Sequence, residues 1–282
     1  MKKILFPTDL SEAAANAFIY SLHLASKTGA VITTLHVYRR PEVKSAKLPR
    51  TLEDFYASYD LEEFQNYKDS LPTLREIQKN SGFSHVKVNH VLKSGKTVDT
   101  ILQVAEEEEA EMIVMGTTGA TGLKKIFLGS VAGEILEHAT CPVLAIPEKA
   151  IFDGLIDRIA FTTSYKEEEK KALRKVLEIL EPFHPQVHCI NVDLAHTDFQ
   201  THAMEKFKQG FEENDHLQFH VLDGNDIQEM ITKFLQENDI DILAMVTHKR
   251  SFLEELFNYS QTKMMSYHAD TPILSIQAHT LE

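Results

Sequence analysis

The 282-residue sequence predicts an α/β fold in two consecutive copies, each a five-stranded parallel sheet with helices on both faces. Three observations carry this. Apolar strand-like runs alternate with helical stretches along the chain, the length suits two domains each able to bury a core, and the second half echoes the first. "KKILFPTDLS" returns as "IDRIAFTTSY", with Ile4 over Ile159, Phe6 over Phe161 and Thr8 over Thr163, an offset of 155 that also carries "TLHV" (34–37) onto "CINV" (189–192). Residues 112–146 lie without a gap over 242–276 at an offset of 130, with 10 of 35 positions identical, among them Met115/Met245, Ser130/Ser260, His138/His268 and Pro142/Pro272. The expected domains are 1–148 and 155–282. The two offsets differ by 25 (155 − 130), so the second copy lacks about that many residues; the surplus in the first is the polar stretch 38–60, expected to be a loop over one edge.

Taken in order, "KKILFPT" reads as a strand, 12–28 as a helix and "AVITTLHVY" as a strand. A helix over about 61–80 and the strand "HVKVNHVL" follow, then a helix over 97–109, the strand "AEMIVMG", a helix over 130–139 and a last strand "PVLAIP". The first and fourth strands are nearly continuous apolar runs, as expected of parallel strands buried on both faces. In such a sheet a ligand sits beyond the carboxyl ends of the strands, where strand order reverses.

Bulk properties narrow the function. No apolar run approaches the ~18 residues of a membrane span, and the start "MKKILFPTDLS" has too short an apolar run for a signal peptide, so a cytoplasmic protein is expected. Cys141 and Cys189 lie one in each half with no CxxC spacing, and read as buried core residues. A net charge of −13 argues against nucleic acid as a partner. The charge is uneven: residues 1–150 carry 17 Lys+Arg against 19 Asp+Glu, whereas 151–282 carry 12 against 23. Only the first half holds an anion without an electrostatic handicap.

The chemistry concentrates in "GTTGATGLKKIFLGS", Gly116 to Ser130, which leaves the carboxyl end of the fourth strand. Gly116 and Gly119 lack a Cβ, so the backbone can take positive φ and approach a phosphate closely. Gly129 and Ser130 then open a helix whose free N–H groups and dipole favour an anion, with Ser130 as its cap or as a hydroxyl donor. Lys124 and Lys125 lie between and can reach outer phosphates. A glycine-rich turn with a capped helix and no ligand is the plain alternative. Neither familiar phosphate motif fits: "SGKT" (94–97) has His90 where a P-loop needs glycine, and reads as Thr97 capping a helix with Asp99 and Thr100 in its first turn. The glycines Gly116, Gly119 and Gly122 do not follow the dinucleotide pattern. "KMMS" (263–266) lacks the His-x-x-His partner of a tRNA-synthetase signature.

The spacing Gly116-x2-Gly119-x9-Gly129-Ser130, with "ILFPTDLSE", "LHV" and the closing "CPVLAIP", resembles the universal stress protein family in its tandem two-domain form, over nearly the whole chain. The resemblance implies two Rossmann-like domains of the adenine nucleotide alpha hydrolase-like type, and ATP, or AMP or ADP, as ligand, with or without magnesium. Carried over by motif, it implies adenine contacts from Pro7, Asp9 and Val37, and ribose and phosphate contacts from Met115, Gly116, Gly119, Gly129, Ser130 and Val131. Asp9 at a strand end can accept hydrogen bonds and Val37 can wall a base; Asp9 as the cap of helix 12–28 is the other reading and does not exclude the first.

In the second copy Gly116, Gly119 and Gly129 become Val246, Lys249 and Tyr259, Asp9 becomes Ser164, and the lysine pair becomes Glu254-Glu255, with only Ser260 retained. A β-branched valine resists positive φ and two carboxylates repel phosphate, so this copy is expected not to bind the nucleotide. His184/His188, His216/His220 and His196/His202 are candidate metal ligands, but they fall in strands or turns without a Cys cluster, and no metal is expected. "EEEE" (106–109) reads as a solvated face. No catalytic residues stand out, since the loop has no evident base or Mg²⁺ carboxylate. The expectation is therefore a nucleotide-responsive stress or regulatory factor with an unknown protein partner, ahead of a slow ATPase using Lys124 or Lys125 or a nucleotide-free scaffold. The last strand of each copy is an edge that needs covering. In the resembled family that edge is the dimer contact, which implies an internal pseudo-dimer and further association into a homodimer.

Overall fold

The computed structural model describes residues 1–42, 52–117, 129–247 and 270–281. The first half runs β1 (Lys3–Pro7), α1 (Glu12–Thr28), β2 (Val31–Tyr38), α2 (Leu52–Asn80), β3 (Val88–Ser94), α3 (Thr97–Glu107), β4 (Met112–Gly116), α4 (Ser130–His138) and β5 (Val143–Ile146). The second runs β6 (Arg158–Thr162), α5 (Glu169–Leu180), β7 (Gln186–Asp193), α6 (Phe199–Lys208), β8 (Leu217–Asp223), α7 (Ile227–Glu237), β9 (Ile242–Thr247) and β10 (Ile273–Gln277).

The described strands form one ten-stranded sheet in the order β3-β2-β1-β4-β5-β10-β9-β6-β7-β8. Each half thus has the same internal order, reversing between β1 and β4 and between β6 and β9. Every pairing inside a half is parallel. The seam between halves is antiparallel, with Val143 opposite Ser275, Leu144 opposite Leu274 and Ala145 opposite Ile273.

Burial follows from the strand chemistry. In β1 Ile4 and Phe6 face one side and Leu5 the other, all at most 1% exposed. One side of the sheet is covered by α1, α2, α5 and α6 through residues such as Phe18, Leu22, Leu74, Val176 and Phe207. The other is covered by α3, α4 and α7 through Ile101, Val104, Ile135, Leu136, Ile231 and Phe234. Among the described residues no helix is long and apolar enough to cross a membrane. Cys141 and Cys189 are free and buried. Burial pushes the Cys141 thiol up to about 12 and raises Cys189 further.

The ends of α1 show local chemistry setting an element. Ser11 is its N-cap and accepts the Ala14 N–H, while Gly29, at φ 72, closes it by donating its N–H to Ala25 at 2.8 Å. The reading of 38–60 as loop needs correction, because α2 starts at Leu52 and residues 52–60 are helical. Glu53 and Asp54 suit its first turn. The same turns fold back on the end of β2, where Tyr59 lies 6.2 Å from Tyr38, Arg40 pairs with Asp60, and the Arg40 guanidinium sits 5.5 Å over Tyr56. Residues 43–51 lie outside the described residues.

The seam carries a stability prediction. Leu274 is 1% exposed opposite Leu144, so Leu274→Ala should cost about 2–5 kcal/mol in urea unfolding. Leu194→Ala, at a position 47% exposed, should stay within about 0.5 kcal/mol of wild type. Equal effects would contradict a packed seam.

Candidate functional site

A cleft of about 300 Å³ opens at the carboxyl ends of β1, β2 and β4, where the strand order of the first half reverses. Its lining includes Pro7, Asp9, Val37, Met115, Gly116, Gly129, Ser130 and Val131, which is every predicted site residue among those described. Gly119, Lys124 and Lys125 lie outside the described residues, as do Lys249, Glu254, Glu255, Tyr259, Ser260 and His268 of the second half. Segments more than a hundred residues apart in the chain meet here because β1 pairs with β4.

The wall from β1 is a tight turn. Leu10 adopts φ 63, a left-handed conformation uncommon for a residue with a Cβ. The turn is held by three side-chain bonds: Leu10 N–H to Thr8 Oγ1 at 3.0 Å, Ser11 N–H to Asp9 Oδ1 at 3.1 Å, and the Ser11 hydroxyl to the same Asp9 oxygen at 2.6 Å. The Ser11 hydroxyl in turn accepts the Ala14 N–H at 3.3 Å. Asp9 is therefore not the cap of α1; it orients the cap, and its exposed carboxylate stands at the mouth of the cleft.

The floor and far wall come from β4 and α4. Thr117 N–H bonds the Ile146 carbonyl at 2.9 Å, and Gly129 N–H bonds the Thr117 carbonyl at 2.7 Å, so the two ends of the glycine-rich segment are pinned together. Two expectations need correcting. Gly116 is not among the positive-φ residues; it is the extended last residue of β4, paired with Ile146. Ser130 is not the cap of α4, because Gly129 is, with no side-chain cap bond. The first-turn amides of α4, which have no intrahelical acceptor, thus border the cleft beside the Ser130 hydroxyl.

Among the lining residues that sequence reasoning missed are Ala14, His36, Thr97 and Ile101. Ile101 is 2% exposed and extends the apolar wall of Leu35, Val37 and Met115. Thr97 is the first residue of α3, whose N-cap is Lys96 without a side-chain bond, so Thr97 does not cap it as expected. His36 was visible only through strand alternation, one residue before Val37.

The corresponding region of the second half differs in kind. Val246 sits in β9 opposite Ile276, as extended as Gly116 is in β4, so the argument that valine resists positive φ does not apply. At the position of Ala14 stands Glu169, 9% exposed, whose Oε2 accepts from Thr163 Oγ1 at 2.7 Å, Ser164 N–H at 2.9 Å and Lys166 N–H at 3.1 Å. Lys96 is replaced by Asp226, which caps α7 by accepting the Glu229 N–H at 3.0 Å. At the turn after β6 a buried carboxylate, Glu169, thus takes the backbone donors, where in the first half Asp9 accepts the Ser11 N–H and Ala14 lies on the cleft.

The histidine candidates resolve separately. His188 Nδ1 and His220 Nε2 lie 3.1 Å apart across β7 and β8, against Phe234, and burial lowers both below the usual imidazole range. His202 Nδ1 donates to the Asp198 carbonyl and His216 faces Gln186. Among the described residues no group of three or more His, Cys, Asp or Glu is arranged to hold a metal.

Comparison with known proteins bears on this geometry. Residues 1–147 match the model of the universal stress protein family. A universal stress protein of Methanocaldococcus jannaschii is 31% identical over 145 residues, covering 51% of this chain and 81% of the relative. One of Bacillus subtilis is 30% identical over 146 residues, covering 51% and 97%. The crystal structure of a universal stress protein from Archaeoglobus fulgidus superposes with a TM-score of 0.70 at 20% identity, covering 98% of this chain and 96% of that one.

One pH effect follows from the second half. His196 Nδ1 pairs with Asp223 and its Nε2 faces Asn225 Oδ1 at 3.1 Å, so the imidazolium satisfies both acceptors. The Asp223 bond, then Asn225, raises its pKa. A group raised in the folded state stabilises fully below its unfolded pKa and loses that contribution as pH rises through the folded value. An NMR titration should therefore place the His196 midpoint above about 6.5, and Asp223→Asn should bring it down; a midpoint unmoved by that change would contradict the pairing.

Proposed function

Because the chain belongs to the universal stress protein family, we propose that its first domain, residues 1–148, binds an adenine nucleotide in the cleft, and that the second, residues 155–282, does not. In this reading the apolar wall of Leu35, Val37, Ile101 and Met115 takes the base, Asp9 accepts from base or ribose, and the first turn of α4 with Gly129, Ser130 and Val131 takes phosphate. The protein then acts as a nucleotide-responsive stress or regulatory factor.

What carries the reading is the convergence of Pro7, Asp9, Val37, Met115, Gly116, Gly129, Ser130 and Val131 on one cleft of ligand size. The groups fit the ligand's chemistry. An apolar slot suits a base that stacks, and a helix N-terminus whose cap, Gly129, carries no side chain suits an anion. The second domain is read as silent because Glu169 fills the turn that Ala14 leaves open in the first, engaging the amides of Ser164 and Lys166, and a nucleoside would have to displace a buried carboxylate.

Calorimetric titration with ATP should give one site per chain. Ser130→Asp separates ligand binding from folding: a carboxylate in the first turn favours α4 by about 0.3–1 kcal/mol through the dipole, yet repels phosphate. The variant should melt no lower than wild type, lose about tenfold or more in ATP affinity, and keep its affinity for adenosine. Two sites per chain, or no heat with ATP, ADP or AMP, would sink the proposal.

A further inference from the structure

His36 stands where the parallel ladder between β1 and β2 ends. The ladder alternates donors and acceptors along each strand, and its last rung on this side is Thr8 N–H to the Leu35 carbonyl at 2.9 Å. The Thr8 carbonyl, which the alternation would assign to Val37 N–H, is taken by Nδ1 of His36 at 2.9 Å. A carbonyl only accepts, so Nδ1 carries the proton. The ring is fixed from its other side by Tyr67 of α2, stacked at 5.7 Å with an interplanar angle of 12°. Tyr67 is itself pinned, its hydroxyl 3.0 Å from Thr34 Oγ1.

The second half solves the same problem with another side chain. Asn191, at the offset of 155 from His36, donates its Nδ2 to the Thr163 carbonyl at 2.7 Å. Both halves thus hold the chain as it leaves the first strand by a side-chain donor on the second, and both then turn through a left-handed residue, Leu10 at φ 63 and Tyr165 at φ 56. An amide suffices where Glu169 fills the turn; a ring that also lines the cleft is present where Ala14 leaves it open.

We propose that His36 is a positioning residue for nucleoside recognition: by holding the Thr8 carbonyl it sets the Thr8–Ser11 turn and so aims Asp9 into the cleft. The inference rests on the nucleotide reading above and adds to it a residue that touches Asp9 only through the backbone. It acts on the nucleoside end of the ligand, not on the phosphates, which lie toward α4.

The test compares wild type, His36→Phe and His36→Asn by calorimetry with adenosine and with ATP, and records the melting temperature of each. Phenylalanine keeps a ring against Tyr67 but donates nothing; asparagine keeps a donor, as in the second half. His36→Phe should weaken adenosine and ATP equally, by about tenfold, the effect of leaving one polar group unpaired. His36→Asn should bind within about threefold of wild type. Unchanged affinity in His36→Phe, or equal loss in both variants, overturns the inference while leaving the nucleotide reading in place. A wild-type chain that binds neither ligand overturns both.

Discussion

The antiparallel seam between β5 and β10 is the constraint on which the rest of the molecule depends. A parallel strand buried on both faces still has an open edge, and the closing strand of each half would present one to solvent. Pairing Val143–Ala145 with Ile273–Ser275 removes both edges at once and welds two five-stranded sheets into one. Direction follows from that single choice. Because strands within a half are parallel and the seam is antiparallel, the carboxyl ends of the first half and of the second lie at opposite edges of the sheet. The cleft beside Met115 and the carboxyl end of β9 at Met245–Thr247 therefore lie on opposite edges, and each half can specialise alone.

The seam also reaches the helix that borders the cleft. Gln277, at the end of β10, is fully buried and donates from Nε2 to the Leu136 carbonyl in the last turn of α4 at 3.3 Å. That bond satisfies one of the orphan carbonyls a helix C-terminus leaves. Helix α4 is thus tied at its far end to the second half, while its first turn stands in the cleft of the first. Position by position the halves have diverged in how polar groups are satisfied: Ala14 against Glu169, Lys96 against Asp226, His36 against Asn191. At the first turn the two halves differ most, since a buried carboxylate, Glu169, stands in the second where Ala14 stands in the first.

Much of this was legible in the sequence, for physical reasons that also explain the failures. The apolar runs "KILFP" and "MIVMG" declared buried parallel strands because nothing else hides such runs. The site residues were placed by the motif resemblance, and the described ones meet in one cleft because the fold brings strand ends together. Positive φ at Gly116 was wrongly inferred from residue type alone, since a glycine that ends a strand stays extended. The helical start of α2 was hidden because Leu52 and Leu61 remain exposed, so the segment lacks the apolar stripe that marks a helix. His36 escaped because its role is a hydrogen bond to a backbone carbonyl on another strand, and no local pattern records that.

The charge asymmetry needs the fold before it can be weighed. A surplus of acid in residues 151–282 would count against an anion in the first cleft if those charges stood near it. Among the acids on the same edge of the sheet are Asp157, Asp239 and Asp241, at the amino ends of β6 and β9; burial pushes Asp241 up to about 6. From β4, the cleft strand nearest to them, to β9 is three strand spacings, about 14 Å at ~4.8 Å each, against a screening length of about 8 Å at physiological salt. Their field at the cleft is largely screened. Under the nucleotide reading the groups that would decide anion affinity are local, namely the amides of α4 and the Asp9 carboxylate on the β1 turn, which line the same cleft. The cleft is thus polarised within itself, acceptor at one wall and donors at the other, which is the polarity of a nucleotide with a hydrogen-bonding nucleoside at one end and phosphate at the other.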